Sequence, residues 1–357
     1  CKHGYIVKVE NSQNSQEDDY YLKFVGNADK DGPGSWVECQ EPAIKYTWDL
    51  TTMPVQLQRT ATNQFTVSQP AWTSRFVGDN NTNPRPGFMS TGLESAADTV
   101  YKYINRMLFY RNRLVILSGD NISLSAPNDL LNFWRESALT VGPNDAISIN
   151  CGQETPVNLN NGIEINAGLV VFSHAAQFLL SSDEGVLTPD TARTSQLSTY
   201  FVNENVKPVS LGTTLAFLDN SGIKSRFMEM AEVRSGVEPI VFDHSKVVPT
   251  LLPKDLNLFD IAKDNGMVFM GKRGSDEIYL YRYYTVGQQR LLSSWVKWKL
   301  SKSIKYFCVS DDTFYFVDDN NFIQQISLRT SDDDLTVTQD GVDFNLHLDN
   351  WTAITGG

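Results

Sequence analysis

Apolar and polar residues alternate with a period of two, or gather in short apolar runs, along most of this chain. Both patterns predict strands rather than helices. Asn105 to Trp134 is the clearest stretch. An apolar run from Tyr110 to Leu117 meets the turn signal Ser118-Gly119-Asp120-Asn121, and Ile122 to Ser125 resumes as a strand. Pro127-Asn128-Asp129 breaks that strand, and Phe133-Trp134 anchors the end of a β-meander.

Four similar couplets follow. Leu169 to Leu180 turns at Ser173-His174, and Leu215 to Met228 at Asp219-Asn220-Ser221-Gly222. Met267 to Tyr284 turns between Gly271 and Asp276, and Phe307 to Leu328 turns at Asp311-Asp312 and again at Asp318 to Asn321. Apolar runs start at 108, 169, 215, 267 and 314, a loose period of about fifty residues, close to one four-stranded propeller blade.

Upstream, Tyr5 to Glu10, Tyr20 to Val25, Met53 to Arg59 and Phe65 to Val67 also read as strands. Ser12 to Asp19 reads as a polar loop, and residues 5–70 as one more blade. One helix is expected, over Glu94 to Met107, capped by Ser90 or Thr91. Ala71 to Ser90 and Leu187 to Lys207 read as long irregular loops, and 77–90 and 187–207 are the expected interface loops.

The expected fold is therefore all-β: a β-propeller-like domain of repeated antiparallel sheets with long loops over residues 1–331. Residues 332–357 form a terminal segment leading toward another domain. A many-stranded β-sandwich is the competing architecture.

Composition agrees with a large β core: 41% hydrophobic residues, with 7 Trp, 14 Tyr and 19 Phe among 357. The net charge of −12 gives no footprint for tight nucleic-acid binding. Cys1, Cys39, Cys151 and Cys308 form no CxxC pair and read as free buried thiols in a reducing compartment. No apolar run reaches the ~18 residues of a membrane span. The chain starts at Cys1 without Met and reads as the central piece of a longer one.

Motifs for chemistry are scarce. Gly266 to Lys272 matches a P-loop in spacing, but Arg273 stands where magnesium needs a hydroxyl and the intervening residues are apolar. His3, His174, His244 and His347 are scattered, and no HExxH or GxSxG occurs. Asp18-Asp19, Asp311-Asp312, Asp318-Asp319 and Asp332-Asp333-Asp334 sit at expected turns without EF-hand spacing. Asn80, Asn121 and Asn350 open N-x-[ST] triplets, read as chance matches. Trp295 and Trp298 are expected on one strand face, for packing or for stacking a sugar. No residue stands out as catalytic, cofactor-binding or metal-binding, and no cofactor is expected.

Several blocks together resemble the tail tubular protein B, or tail nozzle, family of short-tailed bacteriophages (podoviruses). They are SWVECQEP (35–42), TTMPVQLQR (51–59), Trp72-Thr73-Ser74-Arg75 and VGDNNTNPRPGF (77–88). FYRNRLVILSGDNISLSAPNDLLNFW (109–134) is the most specific; LVVFSHAAQFLLSS (169–182), Leu187-Thr188-Pro189, KPVSLG (207–212) and SSWVKW (293–298) follow in order. Past Lys305 no block matches.

The resemblance implies a non-enzymatic virion protein of the phage tail, with a propeller-like central part. It implies a homo-oligomer, a ring of six that continues the DNA channel. The implied partners are the tail adaptor (tail tubular protein A), tail fibre proteins and transiting DNA touched without sequence specificity, with no stable membrane insertion. Assembly in the bacterial host cytoplasm is implied. A carbohydrate-active or carbohydrate-binding propeller is the alternative, and a cellular interaction platform the third.

Overall fold

Short strands separated by turn-forming residues leave this chain no way to bury its apolar faces except by stacking small sheets. The computed structural model describes residues 1–10, 19–44, 48–89, 102–152, 156–183, 185–286 and 289–329, and the backbone of 336–339 and 342–345. Among them there is no α-helix; two short 3-10 turns occur, Asn27–Asp29 and His244–Val247. The chain divides into two compact units, Cys1–Pro249 and Thr250–Gly357.

The first unit opens with a three-stranded sheet, β1 (Ile6–Val9), β2 (Tyr20–Gly26) and β3 (Gly34–Cys39), and a separate hairpin, β4 (Gln56–Ala61) and β5 (Gln64–Ser68). Three four-stranded meanders follow, each in the order of the chain. They are β6 (Arg106–Tyr110), β7 (Arg113–Ser118), β8 (Asn121–Leu124), β9 (Ile147–Asn150); then β10 (Leu159–Ile165), β11 (Gly168–Ser173), β12 (Gln177–Ser182), β13 (Ala192–Ser198); then β14 (Val209–Ser210), β15 (Leu215–Asp219), β16 (Arg226–Ala231), β17 (Ile240–Asp243).

The second unit holds a fourth such meander, β18 (Leu258–Ala262), β19 (Met267–Gly271), β20 (Glu277–Val286) and β21 (Gln289–Lys299). A three-stranded sheet, β22 (Ile304–Ser310), β23 (Thr313–Asp318) and β24 (Ile323–Ser327), and a hairpin, β25 (Thr336–Gln339) and β26 (Val342–Asn345), complete it. Every strand pairing is antiparallel. The fold is all-β and propeller-like in its repeated four-stranded sheets.

Alternation explains the stacking. Along β11, Leu169 and Val171 face Val115, Leu117, Ile122 and Leu124 of the preceding meander. The intervening Val170 and Phe172 face Leu215, Phe217, Met228 and Met230 of the next. The β10–β13 sheet is thus buried on both faces, which is why its central strand is a continuous apolar run rather than an alternating one. Gly168 starts that strand at φ +149, where a Cβ would stand 2.3 Å from the Leu180 carbonyl oxygen. In the second unit Phe269, Ile278 and Leu280 meet Ile304, Phe314 and Phe316 the same way, with the Phe269 and Phe314 rings 4.8 Å apart.

Four expectations need correction. Tyr110 to Leu117 is not one run: Arg111 (φ 47) and Asn112 (φ 58) make a two-residue turn between β6 and β7. Both positions hold positive φ, the geometry that matches strand twist, and Asn tolerates it. The helix over Glu94 to Met107 lies mostly outside the described residues, and its end, from Arg106, is strand β6. Residues 5–70 are not one blade but a three-stranded sheet and a detached hairpin. Leu187 to Lys207 is not all loop, since it contains β13, whose polar Arg193 to Gln196 disguise an edge strand. The expected polar loop from Ser12 falls outside the described residues up to Asp18.

Candidate functional site

The blocks at 35–42, 72–75, 77–88 and the end of 109–134 converge in the first unit, with residues 135–138 beside them. Arg75 is fully buried. Its Nη1 donates to the Asp79 carbonyl (3.2 Å), Asn80 Oδ1 (3.2 Å) and the Asn83 carbonyl (3.0 Å). Its guanidinium carbon lies 5.1 Å from the Trp134 ring centroid. Burial and the nearby Arg85 push the Arg75 guanidinium below its usual range, yet an arginine that binds carbonyls stays charged.

The neighbouring amides are used in the same way. Asp79 Oδ1 accepts from the backbone N–H groups of Asn81 (2.8 Å) and Thr82 (2.9 Å), an Asx turn. Asn83 Nδ2 donates to the carbonyls of Val77 and Arg135, and its Oδ1 accepts from Arg135 N. Trp48 Nε1 and Trp134 Nε1 both donate to the Thr73 carbonyl, at 2.8 and 2.9 Å. Phe88 stacks on Trp48 at 5.6 Å and meets Phe133 edge-on at 5.0 Å. This cluster covers Leu114 and Ile116 on the far face of the β6–β9 sheet. Strand β3 is tied in through Glu38, whose carboxylate accepts from Ala138 N (2.8 Å) and Ser137 Oγ (2.9 Å).

Loop 77–90, expected as an interface, therefore faces largely inward as far as Met89. Val77, Asp79, Thr82, Asn83, Phe88 and Met89 are buried. Nothing in hydropathy marks Arg75 as a hub. The usable signal was an arginine four residues before a run of Asp and Asn, whose short side chains turn the backbone so that its carbonyls point at one donor.

A second buried arginine repeats the device. Arg113 Nη1 donates to the Ser125 and Asp145 carbonyls (2.7 and 2.8 Å) and Nη2 to Leu187 (3.3 Å). The Leu187-Thr188-Pro189 block is thereby fixed to the first meander.

Hairpin β4–β5 projects from this lock. Gln69 Nε2 closes its base on the Leu50 carbonyl at 2.6 Å. Leu57 pairs with Val67 and Arg59 with Phe65, so Leu57, Phe65 and Val67 share one face. That face is uncovered: Leu57 is 66% and Phe65 60% exposed.

Groups capable of chemistry are spent on structure. His244 Nε2 lies 2.6 Å from Glu229 Oε2, and Thr214 Oγ1 donates to Glu229 Oε1 at 2.6 Å. Imidazole and hydroxyl both serve the carboxylate, so neither activates the other. His3 Nδ1 accepts from Gly26 N at 3.3 Å, and His174 packs on Phe201; His347 lies outside the described residues. Asp318 accepts from the backbone of Asn320 and Phe322, and Asp312 pairs with Arg329 at 2.7 Å. Asp19 pairs with Lys8 at 2.7 Å; Asp18 and Asp332 to Asp334 lie outside the described residues. Among the described residues no group of three His, Cys, Asp or Glu is placed to hold a metal. The P-loop-like stretch is strand β19.

Asn121 is buried, and its Nδ2 donates to Asn150 Oδ1 (2.6 Å) and Ser148 Oγ (3.0 Å), which leaves no room for a glycan. Trp295 and Trp298 do not share a face. Positions three apart on a strand point opposite ways, and Trp298 packs on Phe269 at 5.7 Å while Trp295 packs on Tyr281 at 5.1 Å. An open depression of about 560 Å³ lies at Phe109, Arg111, Leu130 and Glu164. Among the described residues no helix is long and apolar enough to cross a membrane.

The chain is 24% identical over 343 residues to tail tubular protein gp12 of Escherichia phage T7, covering 93% of this chain and 41% of that protein. It thus spans less than half the length of that relative. Among solved structures it is similar to the WD40 domain of Toxoplasma gondii coronin (TM-score 0.43, 12% identity, 64% of this chain and 57% of that one). It is also similar to BamB of Moraxella catarrhalis (TM-score 0.40, 8% identity, 64% and 62%). The family described as bacteriophage nozzle protein matches residues 1–356. This chain belongs to the bacteriophage nozzle protein family.

Proposed function

We propose that this chain is a structural, non-enzymatic part of a short phage tail. In this reading six copies form a ring that walls part of the DNA-ejection channel. The ring receives the tail adaptor above and carries tail fibres outside, after assembly in the host cytoplasm. The observation that carries the proposal is how the family-matching blocks are used. Arg75, Asn83, Arg113 and Trp134 spend their polar groups on backbone carbonyls and amides of neighbouring segments. Such side chains stiffen a mount; they do not converge on a substrate.

Charge supports a passage for DNA. The net charge is −12, and two cations, Arg75 and Arg113, are withdrawn from the surface. Each exposed Lys or Arg that met a phosphate would add salt-dependent affinity and hold the DNA; an acidic wall lets it pass. The isolated protein is expected to bind duplex DNA only weakly at about 150 mM salt, and tight binding there would refute the passage reading.

The test of the main proposal is genetic. Phage grown without a working copy should give DNA-filled heads that lack the lower tail and fail to infect. Normal tails and full infectivity in its absence would refute it.

A further inference from the structure

Charge is laid out unevenly along this chain. Ile278 to Ser310 holds six Lys or Arg and no Asp or Glu; with −12 overall, the remaining residues carry −18. This cationic segment includes most of β20 and all of β21, the two longest strands described.

Both outrun their neighbour. Met267, the first residue of β19, pairs with Arg282, and the Tyr283 N–H reaches back to the Gly266 carbonyl at 2.7 Å. Beyond it, Tyr284 to Val286 and Gln289 to Leu292 pair only with each other. The two sides of this overhang differ. On one, Arg290 lies 5.1 Å from the Tyr283 ring, and the Tyr281 hydroxyl meets Ser293 Oγ at 2.8 Å. On the other, Arg282 and Tyr284 continue the face on which Ile278 and Leu280 are buried against Phe314. There Tyr284 pairs with Leu292, and the two are 58% and 42% exposed.

We propose that Arg282, Tyr284 and Leu292 dock on an acidic, partly apolar patch of a second copy of this chain. The inference rests on the reading of the chain as one of a ring of copies, and names the arm that joins them. Charge complementarity selects the occupant. Lys297, Lys299 and Lys302 already face Glu277 (2.9 Å), Asp276 (4.0 Å) and Asp318 (3.6 Å). Arg282, exposed, has no carboxylate within ion-pair distance among the described residues. A polyanion needs many free cations along its length, and this arm offers one beside an apolar pair. A copy carrying −18 outside its own Ile278–Ser310 segment supplies the complementary potential. An arm that fits a different patch on the next copy is a head-to-tail contact, the type that closes rings.

The test uses the full chain in sedimentation velocity at about 50 and 500 mM salt, with Arg282→Glu and Tyr284→Ser variants of unchanged melting temperature. Association should weaken about tenfold with the salt and at least about tenfold with either variant. A photo-cross-linker at position 284 should join two copies through an Asp- or Glu-bearing peptide. Absence of self-association, variants that associate like the unsubstituted chain, or cross-links only within one copy would overturn the proposal. So would binding of anionic vesicles or duplex DNA that is lost with Arg282→Glu. None of these results bears on whether the chain is found in tails, which is scored on virions.

Discussion

The Arg75 guanidinium carbon sits over Trp134, 5.1 Å from the ring centroid, while its Nη1 holds three oxygens of the 79–83 turn. One side chain therefore joins the turn to the aromatic cluster under the first meander. A lysine keeps the charge but offers neither the planar fork nor the stacking surface. Arg75→Lys is expected to lower stability by about 2–4 kcal/mol, a loss in the range seen when a buried network is broken. Urea titration followed by tryptophan fluorescence reads it directly; a change below about 0.5 kcal/mol would show that the hub is dispensable.

The β10–β13 sheet serves two cores. Phe178 faces the preceding meander and Leu179 the following one. Phe178→Ala should cost about 3–5 kcal/mol and Leu179→Ala about 2–5 kcal/mol by denaturant titration. If either were an exposed face, its cost would fall within about 0.5 kcal/mol.

Thiol chemistry separates the cysteines. Burial, with Asp120 nearby, pushes the Cys151 thiol up to about 12, so almost none is thiolate near pH 8. Against the expectation of buried thiols, Cys1 and Cys308 are exposed. Labelling with a disulfide reagent at pH 8 should modify those two quickly and Cys151 only after unfolding. Rapid labelling of Cys151 in the native protein would contradict the buried interface it occupies.

Acid should weaken the second unit through Asp318. Its burial alone would raise the carboxyl, but hydrogen bonds from Phe322, Gln324 and Asn320 and the charge of Lys302 outweigh that and hold it below the usual aspartate value. A depressed folded value means stability that is present above the unfolded value, ~3.9, and is lost as pH falls through the folded one. Asp318→Asn should be less stable than the unsubstituted chain at pH 7, and the gap should close below about pH 4. A gap that persists at pH 2 would assign the effect to packing instead.

Legibility followed the physics of each segment. Leu169 to Leu180 was readable because a sheet buried on both faces needs an apolar run with a turn in the middle. The Asp219 to Gly222 turn was readable because turns need residues that bond their own backbone, as Asp219 Oδ1 does in accepting from Ser221 N. The Arg111-Asn112 turn was missed because a long apolar context hid two polar residues. The indoles at 295 and 298 face opposite ways because positions three apart on a strand alternate sides, a parity that aromatic content alone does not show. Arg75 and Arg113 were invisible because an arginine that caps carbonyls looks, in a sequence, like any surface cation. The docking arm was visible only once β20 and β21 were seen to outrun β19.

One image decides the central claim: a cryo-electron-microscopy reconstruction of the intact virion with this chain fitted into density. Six copies in a ring around the tail channel, with the four-stranded sheets stacked as described, are expected. Density for the chain outside the tail, or no copy in the particle, would contradict the assignment.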